Sequence, residues 1–312
     1  MSISTILDGG FSLTNNRNAQ GIVLMVLSMA AFALTDTLVK QMSTIISPAQ
    51  VLFFLIGGGL IVFTSIARFQ GGTLLDPKAF VPVLLLRYLA EVIGMVGMVM
   101  ALANAPISTV GAITQATPLL AAVGAVLFLG ERVSWRRWSA IIVGFIGVLF
   151  IVQPGAAGFE LTILWAVLAL VAFSIRDLTT SMTPSHMSSA TLATFTMIAA
   201  MPFVIGWVAF NGESFFPTGL NWITVLTMVG LGSFGYMLLI ASLRMAEVSA
   251  VMPFRYTRII FLLVVGIVVF EERPGVSTYF GATLIILSGL YMMWREQQIK
   301  RQAAASAKHE SH

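Results

Sequence analysis

The stretch that decides the fold is residues 106–129, which read PISTVGAITQATPLLAAVGAVLFL and contain no charged side chain. A helix needs about 20 mostly apolar residues to cross the hydrocarbon core of a bilayer, because lipid offers no partner to an exposed backbone group. This run is long enough to cross once, and Gly130-Glu131-Arg132 then leads into another apolar run. A transmembrane β-barrel would instead show short alternating segments. The stretch therefore predicts a membrane-spanning helix.

Ten apolar runs of this kind follow one another along the chain. They are 20–40, 48–68, 79–101, 106–129, 135–153, 161–181, 189–210, 220–242, 248–270 and 276–294. We predict an all-α polytopic membrane protein with ten transmembrane helices, called spans 1 to 10.

The composition excludes several classes of protein. Of the 312 residues, 58% are hydrophobic and 10% charged, whereas a soluble domain carries about 25% charged residues. A water-soluble enzyme, a disordered protein and a nucleic-acid binder are thereby excluded. The chain has no cysteine, and it lacks the His-Glu-x-x-His, Gly-x-Ser-x-Gly and Walker sequences. We therefore expect no catalytic residue, no bound metal and no cofactor.

The distribution of Lys and Arg predicts the orientation in the membrane, since cytoplasmic loops carry the excess of these residues. Eleven lie on one side and two on the other. The larger set is Arg17, Arg68, Lys78, Arg132, Arg136, Arg137, Arg244, Arg295, Lys300, Arg301 and Lys308, and the smaller set is Lys40 and Arg273. We expect a multi-pass protein of the inner (plasma) membrane with both termini in the cytoplasm.

The two halves of the chain repeat with an offset of 141 residues and no net gap. The matched pairs include Ala31/Ala172, Phe32/Phe173, Asp36/Asp177, Phe69/Phe210, Gly94/Gly235, Ala105/Ala246, Ser108/Ser249, Val110/Val251, Glu131/Glu272 and Arg132/Arg273. Each half has five spans, and because five is odd the second half enters the membrane inverted. Inverted repeats are typical of secondary transporters, whose halves move about a site near the midplane.

These features resemble the EamA type of the drug/metabolite transporter (DMT) superfamily. Spans 4 and 9 end in the acidic turns Phe128-Leu129-Gly130-Glu131-Arg132 and Phe270-Glu271-Glu272-Arg273, and the links 104–108 and 245–249 lead into them. The resemblance covers residues 20–294 and implies repeats 20–153 and 161–294. From the Lys and Arg distribution we predict a cytoplasmic N-terminal segment 1–19 and a cytoplasmic tail 295–312, which we expect to be disordered because its end is rich in Ala and Lys. It also implies a cavity between the repeats, lined mainly by spans 1, 3, 4, 6, 8 and 9.

Ionisable residues inside spans are expensive and therefore mark candidate sites. In span 9, Arg258 and Arg255 share a helix face with Tyr256 beside them, and Arg258 lies near the midplane. A guanidinium matches a carboxylate or phosphate well, so we interpret these three residues as substrate-binding. The alternative is that Arg258 pairs with Glu91 or with helix carbonyls.

Span 3 carries a second pair, Arg87 and Glu91, spaced i,i+4. They form either a self-neutralising pair or part of the substrate site, in which Glu91 holds an arginine or takes up protons. In span 4, Thr114 and Gln115 occupy positions that suit hydrogen bonds to substrate, although a threonine also bonds its own preceding turn.

The repeat-related Asp36 and Asp177 lie near opposite faces of the membrane, Asp36 near the outer end of span 1 and Asp177 near the inner end of span 6. They suit two gates or proton-coupling sites related by the inverted symmetry. The alternative is that the two aspartates form interfacial caps and local ion pairs, since Asp36 lies four residues before Lys40 and Asp177 lies beside Arg176.

We predict from these residues a secondary transporter of a small metabolite with an anionic or zwitterionic group, working by alternating access in the lipid bilayer. Its driving force is either a proton gradient or substrate exchange. The alternatives are a drug or cation exporter of the same fold and, less favoured, a channel or an intramembrane enzyme. The sequence leaves open the substrate, the direction of transport, the coupling ion and the oligomeric state.

Overall fold

The computed structural model describes residues 3–70, 80–130, 134–154, 160–182, 189–246 and 248–310. These ranges contain helices and no strand. The helices are α1 Ile3–Met42, α2 Pro48–Phe69, α3 Pro82–Asn104, α4 Ile107–Thr114, α5 Thr117–Leu129, α6 Trp135–Val152, α7 Leu164–Ser181, α8 Ser189–Phe210, α9 Trp222–Met245, α10 Val248–Val251, α11 Thr257–Val269 and α12 Val276–Glu310.

Ten helical segments among these residues are long and apolar enough to cross a membrane, which confirms the predicted number of spans. Span 4 is made of α4 and α5, and span 9 of α10, the 3-10 segment Met252–Tyr256 and α11. Span 3 begins at Pro82, three residues later than predicted, because proline is well tolerated in the first turn of a helix.

The predicted disordered tail differs from the structure. The backbone of α12 remains helical through Glu310, so residues 295–310 continue the last span rather than leaving it. Alanine, lysine, glutamine and arginine dominate this stretch, and all four are good helix formers. A helix already nucleated in the membrane is extended at little cost by such residues.

The helices pack in pairs that join the two repeats. The largest contacts are α1 with α9, α3 with α7, α6 with α12 and α2 with α8. Gly94 of α3 faces the ring of Phe173, and its repeat mate Gly235 faces the ring of Phe32. The 141-residue offset of the sequence is thus reproduced as equivalent contacts in space, which two inverted five-helix repeats require.

Small residues bring α6 and α12 close together. A Cβ atom on Gly147 would lie 2.7 Å from the carbonyl oxygen of Gly281, and one on Gly144 would lie 2.7 Å from the hydroxyl of Ser288. Apolar helices associate through such close backbone contact, since lipid gives no hydrophobic driving force between them. This contact joins the two repeats along spans 5 and 10.

Successive spans run in opposite directions, so the bundle has two ends. The Glu272 end holds the link between α3 and α4 and the link between α11 and α12. The Arg87 end holds the first residues of α3 and the last residues of α7.

Candidate functional site

The interruptions of spans 4 and 9 lie against each other. In span 4 the helix is broken at Gln115 and Ala116, just before Pro118, and in span 9 it tightens into a 3-10 segment around Pro253. Proline removes an N–H donor and its ring crowds the preceding turn, so both breaks have a local cause. The Gln115 side chain donates a hydrogen bond to the backbone carbonyl of Arg255 at 3.0 Å. The two broken spans are therefore joined near their middles.

Arg258 forms an ion pair with Asp36 across the two repeats. The Nη2 and Nε atoms of Arg258 donate to one carboxylate oxygen of Asp36 at 2.5 and 3.2 Å. The guanidinium carbon also lies 5.6 Å from the centre of the Phe32 ring, within the range of a cation–π interaction. Asp36 is 9% exposed and Arg258 is 26% exposed. We call these three residues the Asp36 pair and its ring.

Arg258 lies near the middle of its span. It is the second residue of α11, ten residues after Val248 and eleven before Val269. Its guanidinium therefore places a full positive charge near the middle of the span. Interrupted spans with a helix start near the midplane are a common arrangement at solute sites of transporters.

A second group of charged residues, the Arg87 cluster, joins α3 to α7. Arg176 bonds Glu91 at 2.9 Å and its neighbour Asp177 at 2.7 Å. Arg87 contacts Glu91 at 3.6 Å. Two guanidinium groups thus face two carboxylates, and the cluster is formally neutral.

Two threonines complete the hydrogen bonding of Arg87. Its Nε donates to the Thr180 hydroxyl at 2.9 Å and its Nη1 to the Thr196 hydroxyl at 2.8 Å. Arg87 is 6% exposed, and a buried cation without such partners would be strongly unfavourable. Both the predicted i,i+4 pair and a cross-repeat network are therefore present.

The two aspartates predicted as gates have different partners. Asp177 bonds its sequence neighbour Arg176, which is the local alternative. Asp36 does not take the local alternative, because Lys40 contacts the carbonyls of Leu102 and Ala105 instead. No ion pair links the Asp36 pair to the Arg87 cluster among the residues that the structure describes.

The other predicted site residues are Thr114, Tyr256 and Arg255. The Thr114 hydroxyl bonds the carbonyls of Val110 and Gly111, on its own preceding turn. Tyr256 is buried, and its hydroxyl packs against Gly289 of α12, whereas the Arg258 side chain reaches α1. Arg255 is half-buried.

Sequence reasoning missed a polar cluster at the Glu272 end. Glu272 accepts hydrogen bonds from the Ile107 amide at 2.6 Å, from the Ser108 amide at 3.1 Å and from the Ser108 hydroxyl at 2.6 Å. Lys40 lies 3.9 Å from the same carboxylate. We call these four residues the Glu272 cluster. The signal was the repeat pair Glu131/Glu272, which marked the position without indicating its partners.

A second tie lies at the same end. Ser47 donates a hydrogen bond to Glu213 at 2.5 Å, and Gln50 donates to the Ser214 carbonyl at 2.7 Å. Like the Glu272 cluster, these contacts connect one repeat to the other. Polar contacts therefore tie the two repeats together at the Glu272 end.

A family model confirms the resemblance seen in the sequence. The model of the EamA-like transporter family matches residues 19–153 and again residues 160–294. The chain belongs to this family. The two matches cover both five-helix repeats of the EamA-like fold.

Curated relatives of this EamA-like chain are named as transporters. It is 27% identical over 292 residues to an S-adenosylmethionine uptake transporter of Rickettsia felis, covering 93% of this chain and 96% of the relative. A riboflavin transporter of Vibrio cholerae is 28% identical over 225 residues, covering 70% and 74%. A pseudopaline exporter of Pseudomonas aeruginosa is 26% identical over 276 residues, covering 86% and 94%. These relatives share one function, which is that of a small-molecule transporter of the DMT superfamily.

A solved crystal structure shows the same fold. It superposes with a TM-score of 0.56 at 17% identity, covering 89% of this chain and 98% of the other. At that identity the likeness concerns the arrangement of helices alone.

Proposed function

We propose that this EamA-like protein carries a small metabolite with an anionic or zwitterionic group across the membrane by alternating access between its repeats. The observation that carries the proposal is Arg258, a cation in the middle of an interrupted span whose partner, Asp36, comes from the other repeat. A solute with a carboxylate is a natural competitor for that guanidinium. Arg255 and Gln115, which are joined at the breaks, lie beside it.

S-adenosylmethionine is the first candidate substrate. Four curated relatives, each aligned over about nine-tenths of this chain, are named for uptake of this compound. It carries an α-carboxylate, an α-ammonium and a sulfonium, so it fits the predicted class of solute. The direction of transport is part of the test, because a relative named as an exporter also aligns.

Alternating access is supported by ties between the repeats at two levels. The Glu272 cluster joins the repeats at one end, and the Arg87 cluster joins α3 to α7 toward the other. Each tie must loosen for the solute to pass its end. From the Lys and Arg distribution we propose that the Glu272 end faces outward and both termini face the cytoplasm. Reporter fusions at the termini test this orientation.

The test is transport by the purified protein in proteoliposomes. Uptake and efflux of labelled S-adenosylmethionine, riboflavin, an amino acid and a cationic dye are compared with and without a proton gradient. We expect transport of the zwitterion, and a response to the proton gradient separates proton coupling from exchange. Selective transport of the dye would instead support the drug or cation exporter, and single-channel conductance in a planar bilayer would support a channel.

The decisive variants concern the cation. Arg258→Ala should abolish transport, and Arg258→Lys should keep a fraction because the charge is retained without the planar fork. Arg68→Ala, at an exposed arginine, is the control and should transport normally. Normal transport by a folded Arg258→Ala protein would refute the proposed site.

A further inference from the structure

We infer that the Asp36 pair and its ring form a receptor for a zwitterion, with Arg258 for the carboxylate and Asp36 with Phe32 for the cation. This inference rests on the proposed function and narrows its substrate class, because the site then disfavours a simple anion. It also gives a binding role to Phe32, an apolar residue that composition alone could not single out.

The charges of the resident pair carry the argument. Arg258 is the ion partner of Asp36 in the part of the chain that the structure describes, and the Asp36 side chain is 9% exposed. A solute with only a carboxylate that draws Arg258 away leaves Asp36 buried without a cation, which is costly. A solute with only a cation leaves Arg258, whose side chain is 26% exposed, without its anion. A zwitterion replaces both partners at once, so every charge keeps an opposite one.

The ring of Phe32 supplies the third surface. The Arg258 guanidinium lies over it at 5.6 Å, so this face already accepts a cation. Recognition of ammonium and sulfonium groups by an aromatic face uses the same attraction. When the carboxylate of the solute draws Arg258 off the ring, the face and Asp36 become free together for the positive group of the solute.

The equivalent position in the other repeat does not form the same kind of receptor. Phe173 and Asp177 stand where Phe32 and Asp36 stand in the first repeat, and Arg176 lies 4.6 Å from the Phe173 ring. There the arginine is the immediate neighbour of the aspartate and is also held by Glu91. The position equivalent to Arg258 is Thr117. A solute entering there would have to displace an arginine that is bound to two carboxylates. At the Asp36 site, by contrast, one zwitterion replaces the two members of a single ion pair.

The experiment compares three small probes in proteoliposomes: methionine, its deaminated carboxylic acid and its decarboxylated amine. Each competes with uptake of labelled S-adenosylmethionine by the wild-type protein. We expect methionine to compete at least about tenfold more strongly than the acid or the amine, because each of those leaves one member of the ion pair without a counter-ion. Equal competition by the acid and methionine overturns the inference while leaving the proposed function standing.

Matched variants test the assignment of each half. Asp36→Asn frees Arg258 from its resident carboxylate, so the preference for methionine over the acid should fall about tenfold. Phe32→Leu should weaken methionine and the amine about 2- to 10-fold and leave the acid unchanged. The controls are Glu271→Gln and Phe69→Leu, at exposed residues outside the proposed receptor, which should keep the wild-type preference. Equal changes in preference for a variant and its control refute the assignment.

A second readout separates this inference from the proposed function. Thermal unfolding of the purified protein reports binding without transport, since a ligand that binds the folded state raises the melting temperature. If no solute is transported but methionine stabilises the wild type and not Asp36→Asn, the receptor stands and the transport proposal fails. If methionine neither competes nor stabilises, the receptor is refuted.

Discussion

Replacing Glu272 by Gln should favour opening of the end of the bundle that we propose to face outward. Glu272 belongs to the second repeat, and it bonds Ile107 and Ser108 at the start of α4 in the first. Both of these residues are fully buried, so their N–H groups have no access to water in this arrangement. Weakening the hydrogen bonds of this carboxylate therefore destabilises the arrangement in which the two repeats are joined at this end, and not an arrangement in which they are separated.

The magnitude follows from the three hydrogen bonds. A hydrogen bond to a charged group contributes about 1.5–3 kcal/mol and a neutral one about 0.5–1.5 kcal/mol. Glutamine keeps one carbonyl oxygen as an acceptor but replaces the other with an amide NH2 group, which cannot accept a hydrogen bond. We therefore expect the contact between the repeats to lose about 2 kcal/mol of stabilisation in total. At about 1.4 kcal/mol per factor of ten, the open population should rise roughly 30-fold.

The assay is the reaction of a single introduced thiol. The chain has no cysteine, so Ala105→Cys provides a unique reporter in the link between α3 and α4. Ala105 is 4% exposed, and its thiol should react slowly with an impermeant maleimide added outside. The rate should rise about 10- to 100-fold when Glu272→Gln is added.

The matched control is the adjacent carboxylate. Glu271 is exposed, and Glu271→Gln in the same reporter background should leave the labelling rate unchanged. An unchanged rate for Glu272→Gln as well, in a protein that still folds, would refute the view that this cluster holds the end closed.

Two further predictions concern packing between the repeats. Gly147→Leu should destabilise the protein by about 1–3 kcal/mol through overpacking, since a Cβ atom there already meets Gly281 and Leu284. The measurement is thermal unfolding in detergent, with Gly206→Leu, at a position open on the Cβ side, as the control, and equal melting temperatures would contradict the prediction. In the Arg87 cluster, a double-mutant cycle should give a larger coupling for Glu91 with Arg176 than for Glu91 with Arg87, because the ion-pair distances are 2.9 and 3.6 Å. The reverse order would contradict this reading of the geometry.

The fold was predictable because its signals are local and repeated. The length of each apolar run reports a span, and the 141-residue offset reports the repeat. Breaks near Pro118 and Pro253 also have a local cause. The helical tail was missed because a polar composition was interpreted as disorder, although the same residues favour continuation of a helix.

The candidate residues were largely predictable, but their partners were not. Arg258 and Asp36 were predicted separately, as a substrate-binding residue and a gate, and their pairing joins positions 222 residues apart. Sequence spacing instead favoured Lys40 as the partner of Asp36. The i,i+4 contact of Arg87 with Glu91 was predictable, whereas the link of Glu91 to Arg176 depends on how the repeats pack. Local rules thus identify residues, and tertiary packing selects their partners.

The most direct test of the central claim is chemical restoration of the cation at position 258. Arg258→Cys should lose transport, and this cysteine is the only thiol because the natural chain has none. Modification with aminoethyl methanethiosulfonate places an ammonium there and should restore a measurable fraction of transport, whereas the sulfonatoethyl reagent should not. Equal effects of the two reagents on a thiol that both modify, or full transport by unmodified Arg258→Cys, would contradict the claim that a cation at this point of the bundle binds the solute.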